Sequence, residues 1–183
     1  HDTAGRHLHA DHVRQALEGA QGGPVAEGCT GGGTGMRAYE FKAGTGTSSR
    51  LVDCEDRRYT VGVLVQANHG RRPQLVIAGV PVGREIPDLL PERPDQPKSM
   101  IAVVATDAPL LPLQLRQLAK RVGLGMARTG AISTQSSGDL FLAFSTAQRR
   151  GTAPVQPLAV LSDGQLTRLY QGVVEAAEEA ILN

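Results

Sequence analysis

The pattern of hydrophobic and polar positions predicts strands in the middle of the chain and amphipathic helices towards both ends. Apolar residues at helical spacing predict helices through residues 13–17, 113–122 and 165–182. Apolar or alternating runs predict strands at residues 37–43, 59–67, 74–82, 100–105 and 140–145. Two glycine-rich segments, 28–35 and 44–50, are expected to be irregular and flexible. This order of elements favours sheet layers covered by helices.

One boundary in this pattern carries candidate chemistry. A proline-rich, charged stretch ends at Lys98, and Ser99 opens the apolar strand 100–105. A linker that meets a buried strand at a serine is the arrangement of a chain that cleaves itself. Ser99 would then become a new N-terminal residue with a hydroxyl nucleophile and a free α-amine. The alternative is that Ser99 is only the polar residue that begins a strand, and the pattern alone favours this alternative.

The composition limits the classes of partner. The 183 residues suit one domain with a sizeable core, and the formal net charge of +1 provides no broad field for nucleic acid or membrane. Three Phe, three Tyr and no Trp argue against platforms on which bases stack. No apolar run reaches the length needed to span a membrane. We therefore expect neither nucleic-acid nor membrane partners.

Cysteine and histidine predict no metal site and no cofactor. Cys29 and Cys54 lack metal-ligand spacing and fit a reducing compartment, with a disulfide as the alternative. His7, His9 and His12 lie near the start without an acidic or cysteine partner, so an exposed approach to a helix is expected. The expected location is the cytoplasm, with the periplasm as the alternative. The chain lacks an initiator Met and stops within a helical run, so we expect a fragment of a longer protein.

Two further positions have side chains suited to acyl transfer. Asn68 ends an apolar strand, where its amide could donate to a developing oxyanion or could instead stabilise a turn. Ser137 and Asp139 belong to a dense hydroxyl cluster, and an extended backbone would direct both side chains to one face. A carboxylate there could orient a serine that passes protons to a nucleophile, although a polar loop is the simpler interpretation.

The first glycine segment does not match a nucleotide-binding loop. It lacks the Gly-Lys-Ser/Thr ending of a phosphate loop, and a strand follows it rather than a helix. Its glycines are expected to let two backbones, or a backbone and a substrate, approach closely. Gly33 and Gly35 are the candidates for contact with a substrate.

Several long stretches in one order carry a family resemblance. They are residues 23–28, 31–36, 39–42, 44–50, 61–68, 79–83, 105–112 and 136–146. On these stretches the chain resembles the L-aminopeptidase/D-Ala-esterase/amidase family, which includes the β-peptidyl aminopeptidases and is distantly related in fold to ornithine acetyltransferase.

The resemblance implies a fold and a site. The fold would be of the α/β (α+β) class, a four-layer α/β/β/α sandwich similar to the N-terminal-nucleophile hydrolases but with a different chain order. Residues 1–183 would form one domain of a precursor, cut between Lys98 and Ser99 into an α part and a β part, 99–183. Ser99 would be the nucleophile, Asn68 the oxyanion donor, and Ser137 and Asp139 the members of its hydrogen-bond network. Many members have Gly or Asn before the cleaved serine, where this chain has Lys98.

The implied function is that of a self-processing serine aminopeptidase, amidase or esterase. It would release N-terminal amino acids from small peptides, amides or esters that bear a free amine, and relatives suggest a homo-oligomer. Two alternatives remain. One is an acyltransferase like ornithine acetyltransferase, and the other is a degenerate homologue that acts as a binding subunit.

Overall fold

A four-stranded mixed sheet with two long helices on one face organises the described part of the chain. A computed structural model describes residues 4–55, 57–91, 99–149 and 151–183. Its helices are α1 (Ala10–Glu18), α2 (Val82–Glu85), α3 (Pro112–Arg128) and α4 (Leu166–Leu182). Its strands are β1 (Arg37–Ala38), β2 (Phe41–Lys42), β3 (Thr45–Asp53), β4 (Arg58–Gln66), β5 (Ile101–Thr106) and β6 (Leu140–Ser145). Short 3₁₀ turns lie at Gly31–Gly33, Arg72–Gln74 and Asp163–Gln165.

The order of the strands in the main sheet is β3-β4-β5-β6. The pairs β3–β4 and β4–β5 are antiparallel, whereas β5 and β6 run parallel. A parallel pair needs a crossover connection, which α3 supplies between β5 and β6. Pro112 fits the start of this helix because the N–H of a first helical residue has no acceptor within the helix, so proline loses no hydrogen bond there.

The core lies between the sheet and the helices α3 and α4. Alternate residues of each strand face the helices, as the period of a strand requires. The fully buried members of this core include Val61, Val65, Ala102, Val104, Leu118, Val122, Leu169 and Val173. Gly46 lets α4 approach the edge strand β3, because a Cβ there would collide with the carbonyl oxygen of Ala180.

The opposite face of the sheet remains open in the described residues. It exposes large apolar side chains on three strands, namely Leu51, Ile101, Leu140, Leu142 and Phe144. Helix α1 likewise buries none of its residues. No described helix has the length and apolar character needed to cross a membrane.

Three of the predicted segments are wrong. Residues 74–82 do not form a strand; they follow a 3₁₀ turn, contain a tight turn closed by an Ile77–Val80 bridge, and enter α2. Residues 45–50, predicted to be flexible, begin the nine-residue strand β3. Its polar composition does not predict a strand, but all nine residues of β3 pair with residues of β4.

The predicted strand 37–43 is instead a small hairpin. The strands β1 and β2 pair with each other around Tyr39 and Glu40, whose φ angles are 51° and 64°. Such left-handed conformations are uncommon for residues other than glycine and interrupt the extended backbone. The strands at 59–67, 100–105 and 140–145 and the three helices are present, and α3 extends six residues beyond the predicted end at residue 122.

Candidate active site

The sheet topology brings the ends of three strands to one place. Because β4 and β5 are antiparallel, the end of β4 lies beside the start of β5, and Gln66 is paired with Ile101. Because β5 and β6 are parallel, their starts are adjacent, and Ile101 is paired with Leu140. Continuing both registers by two residues places Ser99 between Asn68 on one side and Gly138 on the other.

Ser99 is half-buried at the start of this middle strand. Its Oγ accepts a hydrogen bond of 2.6 Å from the backbone N–H of Gly138. A backbone N–H directed at a hydroxyl oxygen stabilises negative charge on that oxygen. The next residue, Met100, is fully buried and fixes the strand behind the serine. Lys98, the other residue of the predicted cleavage site, lies outside the described residues.

Asp139 fixes the backbone beside Ser99. Its Oδ1 accepts a 2.8 Å hydrogen bond from the backbone N–H of Met100. Its Oδ2 accepts a 2.8 Å hydrogen bond from the hydroxyl of Ser133. The carboxylate therefore holds the peptide unit that joins Ser99 to Met100 and ties it to the loop before β6.

Ser137 lies in the turn that leads to this carboxylate. Its backbone N–H donates to the carbonyl of Thr134 at 2.8 Å, and its side chain is half-buried. Ser137 and Thr134 line a small cavity together with His69. Ser137 thus contributes to the lining of a cavity beside His69, the residue after Asn68.

Asn68 has a fixed amide orientation. Its Oδ1 accepts a 3.3 Å hydrogen bond from the backbone N–H of Arg37. Its Nδ2 consequently points the other way, and it donates to none of the described residues. An amide held by its oxygen with its nitrogen free can donate to an oxyanion.

His69 and Ser133 belong to this neighbourhood but were not singled out from the sequence. His69 is 3% exposed, and its ring contacts Tyr39 edge-on at 5.2 Å between centroids. Burial lowers the pKa of His69 to about 4, and the negative charge of Asp139 acts in the opposite direction. For His69, the available signal in the sequence was its position directly after Asn68. For Ser133, the signal was its place in the hydroxyl cluster around Ser137.

Tyr39 has a structural environment. Its hydroxyl shares a 2.6 Å hydrogen bond with the hydroxyl of Thr129, and burial raises the pKa of Tyr39 to about 12. Tyr39 is buried and its hydroxyl is bonded to Thr129, so its environment is that of a packing residue.

Both glycine candidates have backbone reasons for being glycine. Gly33 is buried, and a Cβ on it would collide with the backbones of Gly28 and Gly44. Close backbone packing thus accounts for the absence of a side chain at Gly33. Gly35 has a φ of 75°, which suits glycine in a turn. Contact of either residue with a substrate stays a prediction.

No group of three or more metal-ligating side chains is found among the described residues. Cys29 is an exposed free thiol and Cys54 a buried one. His7, His9 and His12 lie on or before the exposed helix α1. The hydroxyl, amide and carboxyl groups around Ser99 are of the kinds that acyl transfer uses.

Comparison with known proteins identifies relatives along the whole chain. The sequence model described as "Peptidase family S58" matches residues 1–183. β-Peptidyl aminopeptidases BapA from Sphingosinicella xenopeptidilytica and Sphingosinicella microcystinivorans are 49% and 44% identical over the entire chain. The chain spans about half the length of these curated relatives, 49% and 50% respectively.

A solved structure has the same fold. It is the L-aminopeptidase D-Ala-esterase/amidase from Ochrobactrum anthropi, described as a prototype for the serine aminopeptidases and a new variant among the Ntn hydrolase fold. The TM-score is 0.90 at 45% identity, over 99% of this chain and 50% of that chain. This likeness confirms the predicted fold class.

Proposed function

Because the chain belongs to peptidase family S58, we propose that it carries the nucleophile of a self-processing serine aminopeptidase. The observation that supports this most directly is the position of Ser99. It lies at the start of the central strand, with its Oγ bonded to the N–H of Gly138 and its own peptide unit held by Asp139. The pairing of Gln66 with Ile101 supports a position for Asn68, two residues after Gln66, near Ser99.

The first step of the proposal is hydrolysis of the peptide bond between Lys98 and Ser99. It creates the α-amine of Ser99 and divides the precursor into an α part ending at Lys98 and a β part, 99–183. The two parts would stay together, because β4 from the first pairs with β5 from the second over six residue pairs. The cut also supplies a base, since a free α-amine has a pKa of about 7.7 to 8.0 in model compounds.

The mature enzyme would then carry out acyl transfer in two steps. Ser99 Oγ attacks the carbonyl of the first residue of the substrate, and its proton passes to the Ser99 α-amine or into the Ser137–Asp139 network. Asn68 Nδ2 donates to the oxyanion. The leaving amine or alcohol takes up a proton as it departs. Water then attacks the acyl group on Ser99 and releases the acid.

The proposed substrates are small peptides, amides or esters with a free amine. The named activities of the relatives, β-peptidyl aminopeptidase and L-aminopeptidase D-Ala-esterase/amidase, support this class. We also propose a homo-oligomer in the cytoplasm. The comparisons do not favour the two alternatives, the acetyltransferase-like enzyme and the degenerate binding subunit.

The test is intact mass and N-terminal sequencing of the full-length protein, beside its Ser99→Ala variant. Wild type should give two species, one beginning Ser99-Met100-Ile101, and should hydrolyse amino acid amides. Ser99→Ala should remain one uncut species without activity, because it lacks the attacking oxygen. A variant that is still cut at residue 99, or still active, would refute the assignment of Ser99.

A further inference from the structure

His69 is a buried polar side chain whose polar atoms are not satisfied by the described protein. It directly follows Asn68, and it is 3% exposed. Neither Nδ1 nor Nε2 has a hydrogen-bond partner among the described residues. Buried polar side-chain atoms nearly always have a partner, either protein or ordered water. The ring therefore needs an explanation that its packing against Tyr39 does not supply.

A cavity lies against this ring. Its volume is about 20 Å³, and its lining includes Ser133, Thr134 and Ser137 from the loop before β6. One water molecule requires a cavity volume of roughly 10 to 15 Å³ and two to four polar partners. The cavity thus has the size for a single water, and the residues that line it include His69 and three residues that bear hydroxyl groups.

The loop that lines this cavity is the one that leads to Gly138 and Asp139. Ser133 donates to Asp139 Oδ2, and Asp139 Oδ1 in turn holds the peptide unit after Ser99. A displacement of this loop would therefore move the carboxylate and the neighbouring N–H of Gly138 relative to Ser99 Oγ. The loop begins with Ser133 at a φ of 44°, a conformation that needs support from its surroundings.

We propose that His69 holds one ordered water in this cavity and, through it, positions the loop 133–137 against Ser99. This inference rests on the proposed function for its effect on turnover. A neutral imidazole suits the task because one ring nitrogen donates and the other accepts. Burial keeps His69 neutral, and the charged groups around it are Asp139 and Arg71, which lines the cavity and pairs with Glu40 at 3.8 Å.

The kinetic test compares three variants of the full-length protein. His69→Phe removes both ring nitrogens and keeps a flat ring against Tyr39. His69→Gln keeps a donor and an acceptor. Met126→Leu alters the apolar lining of the same cavity at nearly constant volume and serves as the packing control. All three are measured for kcat, KM and melting temperature.

For His69→Phe we expect kcat to fall about 10- to 100-fold, with KM and melting temperature retained, since displacing catalytic groups by about 1 Å can cost about 100-fold. His69→Gln should recover most of this loss, and Met126→Leu should match wild type. Wild-type kcat in His69→Phe, or equal losses in His69→Phe and Met126→Leu, would overturn the proposal.

A crystal structure of the wild-type full-length protein supplies a test that depends on neither folding of a variant nor activity. We expect a water within about 3.2 Å of a His69 ring nitrogen and of a hydroxyl or carbonyl of the loop 133–137. No water there, or one that contacts only His69, would refute the positioning role. A wild type that is uncut and inactive would instead refute the proposed function. The presence or absence of the water in its crystal structure would still test the positioning role.

Discussion

The central strand β5 has hydroxyl and carboxyl groups near both of its ends, and the two ends use them differently. At the far end the groups come from Thr106, Asp107 and Ser145, and at the near end from Ser99, Asp139 and Ser133. The residue types are almost the same. What differs is how far the protein itself satisfies their hydrogen bonds.

At the far end each of the two hydroxyl groups donates a hydrogen bond to one backbone group and accepts one from another. Thr106 Oγ1 donates to the carbonyl of Thr60 at 2.7 Å and accepts from the N–H of Ala108 at 3.1 Å. Ser145 Oγ donates to the carbonyl of Ala108 at 2.6 Å and accepts from the N–H of Ala147 at 3.1 Å. Asp107 Oδ1 accepts from the N–H of Thr60 at 2.7 Å. These hydrogen bonds hold the backbone in place at this end of the sheet.

At the near end the same kind of network is incomplete. Ser99 Oγ accepts from Gly138, but its hydroxyl donates to no described residue. Asn68 Nδ2 and both nitrogens of His69 also lack partners among the residues that the structure describes. Open donors beside a fixed carboxylate are what a reacting substrate or an ordered water requires. The comparison therefore separates polar groups that complete the fold from those that remain free for chemistry.

Among changes that leave Ser99 in place, removing the open donor of Asn68 should have the largest effect. Asn68→Ala should lower turnover about 100- to 1000-fold, the usual cost of losing one oxyanion donor. Asn68→Asp keeps an acceptor for the N–H of Arg37 and removes the donor, so it should lose at least as much. Steady-state kinetics with an amino acid amide measures both. Recovery of activity in Asn68→Asp would show that the contact with Arg37, rather than the donor, was important.

The buried imidazole of His69 should make stability depend on pH. Folding lowers its pKa from an ordinary 6.5 to about 4. As the pH falls, His69 is therefore protonated in the unfolded chain at a higher pH than in the folded protein. This contribution to stability is complete above about pH 6.5 and is lost as the pH falls towards 4, by up to about 3 kcal/mol. Denaturant unfolding at several pH values should show this loss in wild type and a smaller one in His69→Phe. Identical pH profiles would contradict the assigned cause.

The matching change at the far end should affect stability alone. Thr106→Val removes a hydroxyl that two backbone groups share and leaves the buried N–H of Ala108 without its acceptor. The expected loss is about 1 to 3 kcal/mol in the free energy of unfolding. Turnover of the folded protein should remain at the wild-type value. A clear loss of kcat without loss of stability would remove the distinction between the two ends.

Much of the fold could be predicted from hydrophobic periodicity. The strands around Val63, Val104 and Leu142 and the helices α3 and α4 have strong patterns, because each packs one face into a core. The strand β3 could not be predicted in this way, since its sequence from Thr45 to Arg50 is polar and contains glycine. Its hydrogen bonds come from β4, and the space for α4 comes from Gly46.

The candidate site could be predicted in part. Ser99, Asn68, Ser137 and Asp139 were identified as chemically suitable residues, and their assignment to one site relied on a family resemblance. The partner of Asp139 Oδ2 is Ser133, which shares the same hydroxyl cluster. His69 was missed because its position directly after Asn68 shows only that it is nearby, and nothing local distinguishes a buried ring from an exposed one.

The sequence by itself determined the strands and helices that pack an apolar face into the core, and where a nucleophile, an amide and a carboxylate stand along the chain. The tertiary structure decided that these three groups lie together. Hydrophobic alternation predicts which face of a strand is buried, but it does not predict which strand lies beside it. Adjacency here follows from the antiparallel pairing of β4 with β5 and the parallel pairing of β5 with β6. Those pairings bring residues 68, 99 and 139 to one end of the sheet, and the same packing leaves the ring of His69 buried beside them.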